Sequence, residues 1–278
     1  MQTITLPDEM NLEKSQQVHL VNYSSTKDVS KQQIILNQNI ISFLLEGRKE
    51  VIFDNTALSI DPSKFIIMRS GNCLMTEKKI SETSNYKSVL LFFSSEMVYN
   101  FIRKLETEKP EAIEPKSVYA FDFDRFLKRF VDSLAVISEL SQSVQGKLLE
   151  VKFEEIMLYL TDKYGKEFLY ALTTNSDQNA QKFIRTIENS HLNKLSIKEL
   201  AFLCNMSVST FKREFEKHYG ESPIKWFQNK RLEYAHALLS QEKSPSEVYF
   251  EAGYENLSSF SQAYKSKYGV TPKHHKSI

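Results

Sequence analysis

The chain has 278 residues, of which 41% are hydrophobic and 26% charged, with 19 Phe and 13 Tyr. This composition fits a soluble globular protein of one large domain or two ordinary ones. Nothing approaches the ~18 apolar residues of a membrane span, and Met1 to Asn11 lacks the basic start and apolar run of a secretory signal, so a cytoplasmic location without membrane contact is expected. The net charge of +1 hides an asymmetry. About 15 basic and 10 acidic residues lie from residue 180 onward, against 21 and 25 before it, so the C-terminal part is basic and the rest acidic. Such a split suggests that only the basic part meets a polyanion.

Cys73 and Cys204 stand far apart, which fits two buried small apolar residues better than a disulfide or a Cys-rich metal site. From about Gln33 to Phe93 the chain reads as strands. Ile34-Ile35-Leu36, Ile40 to Leu45, Val51 to Phe53, Ala57 to Ile60, Phe65 to Met68 and Val89 to Phe93 are short apolar runs. Breaks at Glu46-Gly47, Asp54-Asn55, Asp61-Pro62 and Ser70-Gly71-Asn72 separate them. Short strands so spaced predict an antiparallel barrel or sandwich over about 15–95.

From Ser95 the period changes to that of a helix. Met97, Phe101, Ile102 and Leu105 form one such set. Phe123, Phe126, Leu127, Phe130, Leu134 and Ile137 form a second, and Leu148, Leu149, Phe153, Ile156, Met157 and Leu160 a third. Helices over about 96–172 complete a first domain, 1–172. The last two sets predict an antiparallel pair, packed on the barrel or used for self-association. The polar stretch 173–180 reads as a linker, and 181–278 as a second domain.

That second domain contains a degenerate repeat. Ser209-Thr210-Phe211, Phe215, Tyr219-Gly220 and Pro223 recur 49 residues later as Ser258-Ser259-Phe260, Tyr264, Tyr268-Gly269 and Pro272. Aromatics at i, i+4 and i+8 share one helix face, Gly stops the helix and Pro starts the next segment. Two matched copies are hard to obtain by chance. Each is preceded by a shorter helix with a capping box, Ser196 with Glu199 and Ser244 with Glu247. Turns come next, at Asn205-Met206 and Gly253-Tyr254, and Ser207 and Asn256 can cap the helices after them. Helix, tight turn, helix is a helix-turn-helix unit.

With the aromatic face buried, small and basic residues remain for the major groove of double-stranded DNA, where Arg and Lys pair with guanine. The candidates are Ser207, Ser209, Thr210, Lys212, Arg213 and Lys217 on the first helix. On the second they are Asn256, Leu257, Ser258, Ser261, Gln262 and Lys265, with Lys267 also on offer. A helix of about 17 residues from Ser222-Pro223, with Ile224, Trp226, Phe227, Leu232, Ala235, Leu238 and Leu239, joins the copies. It would span about 26 Å and could hold two reading helices about one DNA turn, roughly 34 Å, apart. Trp226 reads as its core anchor.

The stretches LSIKELAFLCNMSVSTFKREFEKHYGESPIKW, KRLEYAHALL and EVYFEAGYENLSSFSQAYKSKYGVTP resemble the DNA-binding domain of AraC/XylS-type bacterial regulators. The resemblance implies that Ser209, Lys212 and Arg213 read bases, with Leu257, Ser258, Ser261 and Gln262 at the corresponding places in the second helix. Leu257 departs from a polar reader and could make only apolar contact, for example with a thymine methyl. FLLEGRKEVIF, FIIMRSGNCLM and VKFEEIMLYL resemble parts of the sensor domain of AraC-type activators of type III secretion genes. That resemblance implies a cupin-like barrel with dimerisation helices, answering to a protein rather than a sugar.

The expected fold is therefore α+β: a cupin-like antiparallel barrel with a helical dimerisation segment, then an all-α domain with two helix-turn-helix units. The expected function is a sequence-specific transcription regulator, an activator controlled through its N-terminal domain. Its partners would be DNA, RNA polymerase, a second copy through 121–162, and an effector, small molecule or protein, that the sequence does not name. An enzyme is not expected. His19 alone precedes residue 180, so a metal-dependent cupin lacks its ligands, and no cofactor or metal is implied. The apolar residues of the barrel read as packed core rather than pocket, and Arg48, Lys49 and Arg69 as isolated surface bases.

Overall fold

The computed structural model describes residues 3–10, 12, 16–54, 56–105, 116–173, 179–190 and 195–277. Contacts divide the chain into two units, Met1–Gln178 and Asn179–Ile278.

The first unit opens with strands β1 (Ile4–Leu6), β2 (Val18–Ser25), β3 (Val29–Leu36), β4 (Asn39–Glu46), β5 (Arg48–Phe53), β6 (Thr56–Ile60), β7 (Lys64–Met68), β8 (Gly71–Lys78) and β9 (Tyr86–Phe93). Helix α1 (Ser95–Lys104), strand β10 (Val118–Asp122) and helices α2 (Arg125–Ile137), α3 (Gln142–Tyr164) and α4 (Glu167–Thr173) come after them. The strands form two five-stranded sheets, in the orders β1-β3-β8-β5-β6 and β10-β7-β4-β9-β2. The β1–β3 pairing is parallel and the other pairings are antiparallel.

The second sheet is buried on both faces, and the alternation of side chains along a strand says how. Ile40, Leu44, Ile66, Met68, Leu90 and Phe92 turn toward the first sheet, where they meet Ile34, Val51, Phe53 and Met75. Ile41, Phe43, Phe65, Ile67, Leu91 and Phe93 turn the other way, onto Phe101, Phe130, Leu134, Phe153 and Ile156 of the helices. This explains why β4, β7 and β9 read as unbroken apolar runs. Each fully buried Leu, Ile or Phe contributes about 1.5–3 kcal/mol. The helices start on side-chain caps: Ser94 accepts from Met97 N, and Asp124 from Leu127 N.

Several elements differ from expectation. β2 and β8 carry polar residues at half their positions, and β10 lies far in sequence from its partner β7. His19 sits inside β2, buried opposite Phe92. β8 begins at Gly71, within the expected break. Phe126 and Leu148 are partly exposed, Phe126 stacking on Tyr159 with ring centroids 4.0 Å apart. Lys49 and Arg69 are not surface bases. Lys49 is buried against Glu77, and Arg69 binds Asp54 at 3.0 Å. Cys73 and Cys204 are both buried, as expected.

The second unit is helical: α5 (Asn179–Ser190), α6 (Ile197–Leu203), α7 (Val208–Tyr219), α8 (Pro223–Ser240), α9 (Pro245–Glu251) and α10 (Leu257–Tyr268), closed by a 3-10 segment, Pro272–Ser277. The stretch expected as a linker, 173–180, lies mainly outside the described residues. Its ends belong to α4 and α5.

Candidate nucleic-acid interface

Both halves of the second unit are built by the same local devices. The Ser196 side chain accepts from Glu199 N at 3.2 Å while Glu199 Oε2 accepts from Ser196 N at 2.7 Å. Ser244 and Glu247 form the same reciprocal box, and the two bonds from Ser244 hold the Glu247 carboxyl below its ordinary pKa. Such boxes satisfy the donors a helix start leaves free. The turn after each short helix needs one residue in the left-handed region. Asn205 takes it at φ 56° in the first half and Gly253 at φ 83° in the second. Gly meets no steric cost there, and Asn tolerates it better than most residues.

Ser207 Oγ then caps α7, accepting from Thr210 N at 3.1 Å, and Asn256 Oδ1 caps α10, accepting from Ser259 N at 2.8 Å. Gly220 and Gly269 end the two helices as left-handed C-caps. The matching aromatics bury one face of each. Phe211 and Phe215 pack with Phe183 of α5 and with Trp226 and Phe227 of α8. Phe260 and Tyr264 pack with Tyr254, Leu232, Ala235 and Val248. Trp226 lies edge-on to Phe215 at 5.6 Å, as a core anchor should.

What remains outside is the expected set. Ser207, Ser209, Lys212, Arg213 and Lys217 are exposed on α7, with Thr210 half-buried. Asn256, Leu257, Ser258, Gln262 and Lys265 are exposed on or at the start of α10, with Ser261 half-buried. The i, i+4, i+8 spacing places Ser209, Arg213 and Lys217 in one row, and Lys212 beside it. Side chains of Arg213 and Lys217 are 75% and 73% exposed, each only 3.8 Å from a Glu214 oxygen. So loose a pair releases either cation at little cost. Ser207 differs from the others. Its hydroxyl holds the cap and lies 2.9 Å from both the Ser209 and Thr210 hydroxyls, so it orders the helix start.

Two expectations need correction. Lys267 is not available to DNA, because its Nζ donates to Asn229 O at 3.0 Å and to Glu233 Oε1 at 3.1 Å, pinning α10 to α8. Ile224 is 68% exposed and is no part of the α8 core. One residue went unread: Val208, exposed at the first position of α7 as Leu257 is of α10. The 49-residue offset that pairs the copies would have found it. Helix α8, 18 residues, spans about 27 Å at 1.5 Å per residue.

Among the described residues there is no group of three or more His, Cys, Asp or Glu placed to hold a metal ion. No helix among them is long and apolar enough to cross a membrane.

Comparison with known proteins agrees with this construction. Residues 39–172 match the family of the ExsA N-terminal regulatory domain, and residues 200–277 match a helix-turn-helix domain family. The virulence regulon transcriptional activator VirF of Yersinia enterocolitica is 29% identical over 182 residues, 65% of this chain and 67% of the relative. The HTH-type transcriptional regulator ExsA of Pseudomonas aeruginosa is 26% identical over 235 residues, 82% of each chain. A crystal structure of an apo ToxT variant from Vibrio cholerae aligns with 93% of this chain and 96% of its own, at 14% identity and a TM-score of 0.46. Over both matched stretches the chain is similar to AraC-type helix-turn-helix transcription regulators.

Proposed function

We propose that the chain activates transcription by binding double-stranded DNA sequence-specifically, laying α7 and α10 into two adjacent major grooves. The observation that carries this reading is the pair of helices with matched caps and matched aromatic faces, each leaving a polar or basic face in solvent. Lys212 and Arg213 take the base-reading positions of α7, with Ser209 beside them and Lys217 on phosphate. Ser258, Ser261 and Gln262 are weaker readers on α10, Leu257 meets a thymine methyl, and Lys265 sits on phosphate. Helix α7 therefore dominates recognition and α10 fixes register.

The two sheets of the first unit would form the cupin-like sensor that governs this activity, in the cytoplasm, on behalf of RNA polymerase. A second copy pairs through 121–162. Val144, Val151 and Leu158 of α3 are 44%, 61% and 53% exposed, at a spacing of seven. An apolar heptad row suits a twofold seam with the same helix of another copy.

The test is a titration of the full chain on promoter fragments and on random DNA at physiological salt. Specific sites should bind at least about 10³-fold tighter, with affinity falling steeply as salt rises. Equal binding to both would refute sequence-specific regulation.

A further inference from the structure

Between the two sheets of the first unit lies a cavity of about 260 Å³. Packed interiors hold few voids larger than a water. At roughly 30 Å³ per water-sized group, this one accommodates about nine such groups. Its walls are apolar: Ile34, Ile40, Met75 and Leu90 come from the sheets, Leu6 and Met10 from the N-terminal arm. Walls of that kind favour an apolar guest.

One end is polar. Lys49, 2% exposed, lines the cavity and donates to Glu77 Oε1 at 3.0 Å and to the Tyr86 hydroxyl at 3.2 Å. Burial works against its charge, but Tyr86 and Glu77 outweigh that and keep it an ammonium. Tyr23, pushed up to about 12 by burial and then by the Glu77 charge, stays a neutral phenol beside the pair. An ammonium has three N–H donors. Two are committed here, and the third has no protein acceptor among the described residues.

We propose that this cavity binds a medium-chain amphipath of about ten non-hydrogen atoms whose head is an uncharged acceptor, such as an amide or ester carbonyl. The carbonyl takes the third Lys49 donor and the chain fills the apolar walls. Glu77 already neutralises Lys49, so a ligand carboxylate would be a second buried anion on one cation, with Glu9 also lining the cavity. An uncompensated charge in such a place is costly. A cationic head would meet Lys49 instead. The arm supplies the entrance. β1 pairs with β3 over Ile4 to Leu6, Asn37 N donates to Leu6 O at 2.8 Å, and Glu9 Oε1 braces the arm by accepting from Thr5 N at 2.7 Å. The proposal names the effector class for the sensor reading above.

Octanamide, octanoate and octylammonium match in size and differ in head charge. Each is titrated into the full chain without DNA and followed by methyl NMR of Ile40, Met75 and Leu90. Octanamide should give saturable shifts at these methyls, with both ions at least tenfold weaker at neutral pH. Val29→Phe, placed on the cavity lining at a partly exposed position, should abolish octanamide binding with an unchanged melting temperature. The double variant Lys49→Met, Glu77→Gln, which removes the donor without leaving a lone charge, should weaken octanamide several-fold and leave octanoate at least as disfavoured as before. Equal or tighter binding of either ion, shifts confined to other methyls, or Val29→Phe binding as wild type would overturn the proposal. Because no DNA is present, such a failure leaves the DNA-binding reading intact, and a failure of specific DNA binding leaves this result standing.

Discussion

Replacing Arg213 by Ala separates recognition from stability. The side chain is 75% exposed and its one ion pair, with Glu214, is 3.8 Å long. Removing it should change folding stability by no more than about 0.5 kcal/mol, as for other surface substitutions. If Arg213 pairs with a guanine, the loss on the cognate site is about 1–3 kcal/mol, or roughly 5- to 150-fold in affinity, since each 1.4 kcal/mol is tenfold. Fluorescence anisotropy with a labelled cognate duplex and a scrambled one, over a salt series, reads the difference. The specific complex should weaken and relax its preference at one base position, while the scrambled duplex and the melting temperature change little. Lys217→Ala serves as the contrast. As a phosphate contact it should weaken both duplexes alike and reduce the salt slope by about one. Unchanged cognate affinity for Arg213→Ala, or equal losses on both duplexes, would remove Arg213 from base reading.

The same geometry has other consequences. The Asp124 carboxyl is held down to about 2: burial pushes it up, but the Leu127 N–H, Lys163 and Tyr159 outweigh that. A depressed folded pKa stabilises above the unfolded value, about 3.9, and the contribution fades as pH falls toward 2. Asp124→Asn keeps a cap acceptor yet loses Lys163, so its melting temperature should fall less steeply between about pH 4 and 2; superimposable acid limbs would argue against the bridge. Val151→Glu and Leu158→Glu alter exposed positions and should give monomers by sedimentation velocity with the fold retained. A wild-type dimer that survives both changes would exclude the α3 seam. Tyr264 Oη lies 2.8 Å from His236 Nδ1 and 2.7 Å from His275 Nδ1, tying α10, α8 and the C-terminal segment together. Tyr264→Phe leaves two imidazoles without it, at about 1–3 kcal/mol, and should lower the melting temperature by several degrees without altering base preference.

The second unit was legible because its signals are local. Capping boxes, the Asn205 and Gly253 turns and aromatics four residues apart each act within one or two turns of helix, so sequence alone displays them. The exposed faces of α7 and α10 came by subtraction. What escaped depends on distant partners. Nothing near Lys267 in sequence announces Glu233 and Asn229, which only the packing of α10 on α8 brings to it. Helix α5 is anchored by Phe183, whose partners Phe211 and Phe215 lie about thirty residues on. β10 pairs with β7, some fifty residues earlier, Val118 opposite Met68. Lys49 looked like a surface base because Glu77 and Tyr86, its reasons for burial, arrive from β8 and β9. Burial of charge is a property of the assembled sheets and has no sequence period.

Two reading helices per protomer are the centre of this account, and hydroxyl-radical footprinting of the full chain on its selected site addresses them directly. Each bound protomer should protect two patches on one face of the duplex, about 10–10.5 base pairs apart, and Ser258→Glu with Gln262→Glu should erase one patch while the other persists. A single patch per protomer, or two patches indifferent to those changes, would contradict it.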